Sequence, residues 1–202
     1  MSGSSWAARV REAYLGEHRP GLGVEEEFGL VTVDVPPESW AEGVMLAREA
    51  LACTFFDWLS AVDELEQGFR VVCHVAARRT GAVEHVAVRT RLSRDRPVVA
   101  SVAGVFGGAR WHERETHEMF GIEFTEHGTV LPLKGLLLPE EFEGHPLRKD
   151  FVLASRVARA WPGAKEPGES DARPRAGRSR RKAIPPGVPD PSEWPGPSAD
   201  RR

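Results

Sequence analysis

The spacing of apolar and polar positions changes several times along this chain, and each change marks an expected element. Residues 28–35 (FGLVTVDV) alternate and are rich in β-branched side chains, as in a half-buried strand, and Pro36-Pro37 ends the run. Ser39 and Glu42 have capping-box spacing, which predicts a helix through about Leu51. Phe55, Trp58, Leu59 and Val62 recur at helical intervals and predict a second short helix. Two period-2 runs follow. Phe69, Val71, Cys73 and Val75 share one face, as do Val86, Val88 and Leu92, and the RRTGA turn between them predicts an antiparallel hairpin. Ser101 stands where it can cap a helix carrying Val102, Val105, Phe106 and Ala109, which Gly107-Gly108 weakens or breaks. WHERETHEMF reads as a further helix with Gly121 just past its end.

Beyond Gly121 the periodicity stops. Ile122 to Trp161 is punctuated by proline, yet it places Leu136, Leu137, Leu138, Phe142, Leu147, Phe151 and Leu153 in a segment without helical or strand period. So many large apolar groups on a loop must pack back on the domain or bury in another protein. The expected architecture is α+β. A single domain with a small antiparallel sheet packed by helices spans 1–121, an extended partner-binding arm 122–162, and a disordered tail 163–202.

Composition refines this picture. Hydrophobic residues make up 41% of the 202 residues and charged residues 28%, ordinary for a globular protein. No apolar run approaches the roughly 20 residues that cross a bilayer. The first residues, MSGSSWAARVREAYL, lack the apolar stretch of a secretory signal, so a cytoplasmic chain is expected, with any membrane contact made through a partner. Residues 1–162 carry 18 Lys+Arg against 24 Asp+Glu, and residues 163–202 carry 9 against 6. An acidic body is not the footprint of a nucleic-acid-binding domain. The tail, rich in Pro and Gly with six basic residues between Arg173 and Lys182, cannot bury enough apolar surface to offset its ordering entropy.

Candidate chemistry is sparse. Cys53 and Cys73 stand twenty positions apart without a CxxC, too few thiols for an iron–sulfur cluster or a Cys-rich zinc site, and each is expected to be a buried small hydrophobe. HERETH (His112 to His117) resembles a zinc-protease helix, but its histidines are five apart, about 140° around a helix, so they face different ways. Arg114, four residues before Glu118, suggests an ion-pair network among Glu113, Glu115 and Glu118 rather than an acid–base pair. Glycine-rich phosphate loops and a serine nucleophile elbow are absent.

Two blocks carry a family resemblance. In the first, Glu113, Arg114, Glu115, Glu118, Met119, Phe120, Gly121 and Ile122 form an ERE run followed by an acidic residue, two large apolar residues and Gly-Ile. The second, LLPEEFEGHPLRKDF, contains Gly144, His145, Pro146, Leu147, Arg148, Lys149 and Asp150. Together they resemble the 30 kDa subunit family, the C subunits, of NADH-quinone oxidoreductase (respiratory complex I), over roughly residues 40–161. The link TEHGTVLPLKG departs from the family's shorter, more basic one, and His117 replaces an aromatic or small residue. The resemblance implies a non-catalytic structural subunit on the cytoplasmic face of the cell membrane, clasping chiefly subunits D and B. It implies no cofactor bound by this chain, the complex holding NADH, FMN, Fe–S clusters and quinone in partner subunits, and a partner interface at the residues just named. The equivalent subunit of an energy-converting hydrogenase or of a ferredoxin- or F420-linked complex is the alternative, and a free-standing zinc hydrolase a remote one.

Overall fold

In a computed structural model, which describes residues 5–16, 22–140 and 142–152, the chain runs α1 (Trp6–Leu15), β1 (Gly23–Glu27), β2 (Leu30–Asp34), α2 (Trp40–Glu49), β3 (Phe55–Asp63), β4 (Phe69–Arg79), β5 (Ala82–Leu92), β6 (Val98–Ala100), α3 (Ala109–Phe120), β7 (Glu123–Glu126) and β8 (Thr129–Val130). Five strands form one sheet in the order β1-β2-β5-β4-β3, and three form a second in the order β6-β7-β8. Pairing is antiparallel except where β2 meets β5 and β6 meets β7. The α+β class is as expected. Residues up to Lys149 make one unit, and Asp150–Val152 are the described part of a second. The tail expected over 163–202, like Leu153, lies outside the described residues.

The expected hairpin forms at β4–β5, in register from Phe69↔Leu92 to Arg79↔Ala82. Its inward residues Phe69, Val71, Cys73, Val75, Val86 and Val88 are all buried. Helix α2 packs on this face, and Gly43 lets it approach, since a Cβ there would lie 3.1 Å from Val35 Cγ1. Ser39 precedes α2 but makes no capping bond through its side chain, because a 3-10 turn over Pro37–Ser39 leads into the helix instead. Tyr14 of α1 donates to the Gly43 carbonyl at 2.6 Å, tying the two helices together.

Residues 55–63 form a strand, not the expected helix. The pairing with β4 shifts register between Phe56 and Trp58, an irregularity that breaks the two-residue alternation. Phe56, Leu59, Ala61 and Asp63 therefore share the core face, opposite Val75, Cys73, Val71 and Phe69, and a bulged strand imitates helical spacing. The expected helix from Ser101 is also absent. Ser101 N–H continues the β-pairing by donating to Thr125 O, turns follow over 103–108, and α3 begins only at Ala109 after the Gly pair.

The segment after Gly121 is partly structured. Ile122 and Phe124 are fully buried, and β7 lies alongside β6 in parallel. The short I-E-F alternation was its only local signal. Burial at this depth predicts that Phe124→Ala costs about 3–5 kcal/mol of stability, measured by urea denaturation. A cost under about 1 kcal/mol would show this segment to be a free arm.

Candidate functional site

Helix α3 carries the first block of candidate residues, and its faces have separate tasks. Glu113 is 0% exposed. The Ser101 hydroxyl lies 2.8 and 3.0 Å from its two oxygens, and Val102 N–H donates to Oε1 at 2.7 Å. Burial pushes the Glu113 carboxyl above the usual carboxylate range, against the pull of these donors and of Arg110. Its work is to hold the 101–105 turn, and so β6, against the helix.

One turn on, Glu118 accepts from the N–H groups of Leu136 (2.6 Å), Leu137 (2.8 Å) and Leu138 (3.4 Å). Burial works to raise its carboxyl, but these three donors and Arg114 outweigh it and leave the group below its ordinary value. Arg114 points to the same loop: Nε donates to Lys134 O at 2.9 Å and Nη2 to Gly135 O at 2.6 Å, while the guanidinium lies 5.0 Å from the Trp111 ring centroid. The expected Arg114–Glu118 ion-pair network is thus replaced by a division of labour. The cation takes two loop carbonyls and the anion takes the following N–H groups. Glu115 is exposed.

The second block closes the end of this helix. A helix leaves its last four carbonyls without internal partners, and here each finds one. Gly121 N–H donates to His117 O, His145 Nδ1 to Glu118 O at 2.8 Å, Leu147 N–H to Met119 O at 3.1 Å, and Arg148 Nε to Phe120 O at 2.6 Å. His145 is pushed below its ordinary value by burial, then by Arg148 and His117. Gly121 takes φ +70°, as the expected C′ residue should, and a Cβ there would collide with Arg148 Nη2 and His145 Nε2. Met119 packs against the core, Ile122 lies within it, and the Phe120 ring meets Phe69 edge-on at 6.3 Å.

Asp63, which sequence reasoning missed, anchors the block's far end. Its buried carboxylate accepts from Lys149 N–H (2.9 Å), Leu65 N–H (2.8 Å) and Arg94 (2.6 Å). Burial would raise it, but Arg94 and the two N–H donors bring it down to about 2. The Arg94 and Arg148 guanidiniums both sit over the Phe69 ring, at 5.1 and 5.2 Å. Gly144 takes φ +89°, Pro146 is half-buried, and Asp150 falls in the second unit.

The remaining candidates are dispersed through the fold. His112 Nδ1 reaches Leu59 O at 3.2 Å, on the free edge of β3, whereas His117 Nδ1 reaches Ile122 O at 2.9 Å, so the two imidazoles serve different elements. Among the described residues no cluster of three or more His, Cys, Asp or Glu is placed to hold a metal. Both cysteines are buried, and burial pushes the Cys53 thiol up to about 12 and raises Cys73 as well.

Both blocks fall within one family signature: the model of the family described as respiratory-chain NADH dehydrogenase, 30 kDa subunit, matches residues 33–157. The chain belongs to this family. It is 37% identical to the C subunit of the NADH-quinone oxidoreductase of Roseiflexus sp. (strain RS-1), over 66% of this chain and 76% of that one. It is 34% identical to the corresponding C subunit of Mesorhizobium japonicum, over 71% and 72%. Its fold is similar to a chain in the membrane-bound sulfane sulfur reductase, an archaeal respiratory membrane complex (TM-score 0.56, 22% identity, covering 72% of this chain and 83% of that one). Among the described residues no helix of this family member is long and apolar enough to cross a membrane.

Two outcomes test this arrangement. Gly121→Ala should cost about 2–4 kcal/mol, whereas Gly81→Ala, at an equally positive φ with nothing within 4 Å, should cost about 1 kcal/mol. Equal losses in urea denaturation would show that the 145–148 segment does not bear on Gly121. For Glu113 the raised pKa means its contribution is fully present below the unfolded value and lost as pH rises through the folded one. Glu113→Gln should therefore gain on the wild type as pH rises above the ordinary carboxylate range. A stability difference independent of pH would refute this.

Proposed function

We propose that this chain is a non-catalytic structural subunit of the peripheral arm of a proton-translocating NADH:quinone oxidoreductase, held at the cytoplasmic face of the cell membrane through its partners, chiefly subunits D and B. In this reading NADH, FMN, the Fe–S clusters and quinone belong to partner subunits, and this chain binds none of them. The names of its relatives and its family support the assignment. The carrying observation is a set of large apolar side chains presented outward by a polar framework beneath them. Trp111 is 60% exposed, Leu137 59%, Leu147 53% and Phe142 40%.

Trp111 stands on α3 itself, Leu137 on backbone held by Glu118, and Leu147 on backbone held by the Met119 carbonyl, so little ordering entropy remains for them to lose on association. A rigid apolar surface of this kind suits a contact with another protein. The proposed interface comprises Glu113, Arg114, Glu115, Glu118, Met119, Phe120, Gly121 and Ile122 on one block and Gly144, His145, Pro146, Leu147, Arg148, Lys149 and Asp150 on the other. Most of them act by positioning the outward side chains.

Purification of the tagged chain from its native membranes is expected to bring cluster-bearing subunits with it. Recovery of the chain alone would end this reading. Leu137→Asp combined with Leu147→Asp should lower the recovered partners by about tenfold or more while leaving urea unfolding of the isolated chain unchanged. Unaltered assembly with lost turnover would instead mean a direct catalytic part. The fold shared with the archaeal respiratory complex fits a second reading, the equivalent subunit of an energy-converting hydrogenase or a ferredoxin- or F420-linked complex. Recovery of NADH- and FMN-binding subunits favours the first, and cluster-bearing partners without them the second.

A further inference from the structure

Between α3 and the segment 131–134 lies a cleft of about 400 Å³. Leu131, Pro132 and Leu133 line one wall, Arg110 and Arg114 line the other, Lys134 and Glu126 complete the rim, and the carboxyl-bearing Glu113 belongs to its lining. Arg114 is committed to the Lys134 and Gly135 carbonyls. Arg110 and Lys134 are exposed, and among the described residues neither makes a hydrogen bond or ion pair through its side chain.

This concentration of cations runs against the charge of the body around it, where acidic residues outnumber basic ones. Like charges gathered in one cleft raise one another's energy, and a carboxylate seated among them relieves the repulsion. Glu126, exposed on the same rim, repels a doubly charged anion such as a phosphate while remaining free to accept from a peptide N–H. Leu131 and Leu133 are half-buried against the core, and the part of each left open offers apolar surface beside the carboxylate. The Glu113 carboxyl is fully buried and already taken up by the Ser101 hydroxyl and Val102 N–H.

We infer that this cleft is a docking groove for a short acidic–apolar segment of a partner subunit, an Asp or Glu carboxylate lying between Arg110 and Lys134 with an adjacent Leu, Ile, Val or Phe against Leu131 and Leu133. The inference rests on the reading of the chain as an assembly subunit and names the chemistry of one of its contacts. The leucine wall is fixed in place by Leu131 N–H on Phe124 O and by Arg114 on the carbonyls that follow it, so the groove is preformed.

The test uses the assembled complex. With Pro132 replaced by the photo-cross-linker benzoylphenylalanine, irradiation should join this chain to a partner subunit at a segment where an acidic residue adjoins an apolar one. An assembled complex that yields no adduct overturns the proposal. So does an adduct with a second copy of this chain, or with a segment lacking Asp or Glu. Independently, Arg110→Glu with Lys134→Glu should cut partner recovery at low salt by about tenfold or more, with the isolated chain still folded and unfolding cooperatively in urea, and recovery restored in Arg110→Lys with native Lys134. Recovery equal to that of the wild type also overturns it. Failure of the unaltered chain to bring any partner sinks the wider assignment instead, and the two failures are thereby separated.

Discussion

The last four carbonyls of α3 must find donors beyond the helix, and meeting that requirement organises the part of the molecule that carries both signature blocks. One is met locally by Gly121, and the other three by His145, Leu147 and Arg148, some 28 residues further along the chain. Positive charge at this end of a helix also opposes the negative end of its dipole. Capping the helix therefore fixes the path of the second signature block, and Asp63 fixes its far end by receiving Lys149 N–H. The close fit leaves room for no side chain at position 121.

Three buried or half-buried carboxylates do comparable structural work in electrostatically different settings. Glu113 is surrounded by a hydroxyl and backbone donors with only Arg110 in reach, and burial prevails. Glu118 has three N–H donors and Arg114, and Asp63 has Arg94 and two N–H donors, so the charged form prevails at both. Each joins two segments distant in sequence: 113 to the 101–105 turn, 118 to the 136–138 loop, and 63 to the end of the second block. Acidic residues that suggest catalysis by their density serve here as acceptors for backbone that has left regular structure.

What the sequence makes legible follows the range of the interactions involved. The β4–β5 hairpin, α3 and the role of Gly121 depend on local period and turn chemistry, and all three could be read directly. The strand β3 could not, because the register shift after Phe56 places Phe55 and Trp58, three apart, on one face with Val62 and copies a helical interval. Strands β6 and β7 are too short to show a period and form only through pairing, β6 with β7 and β7 with β8 as well. At the site, the residues were identified through family resemblance, but their partners were not. An i to i+4 pairing of Arg114 with Glu118 is the local solution, and it loses to a loop whose unpaired carbonyls and N–H groups demand both side chains. Asp63 carried no signal, since its value depends on Arg94 and Lys149 meeting it in space.

The long-range cap on α3 also has a consequence for synthesis. As the chain leaves the ribosome, α3 is complete in sequence well before residues 145–148 exist to close it. Until then its final carbonyls depend on water, and the Phe120 end of the helix lacks its lid. Nascent chains generally fold as units from the N-terminal side. The sheet and α2 can assemble early, while the signature surface becomes a finished object only once the second block has been translated and laid across Gly121. If the surface is read by a partner subunit as proposed above, that partner meets it only on chains whose synthesis has passed the second block.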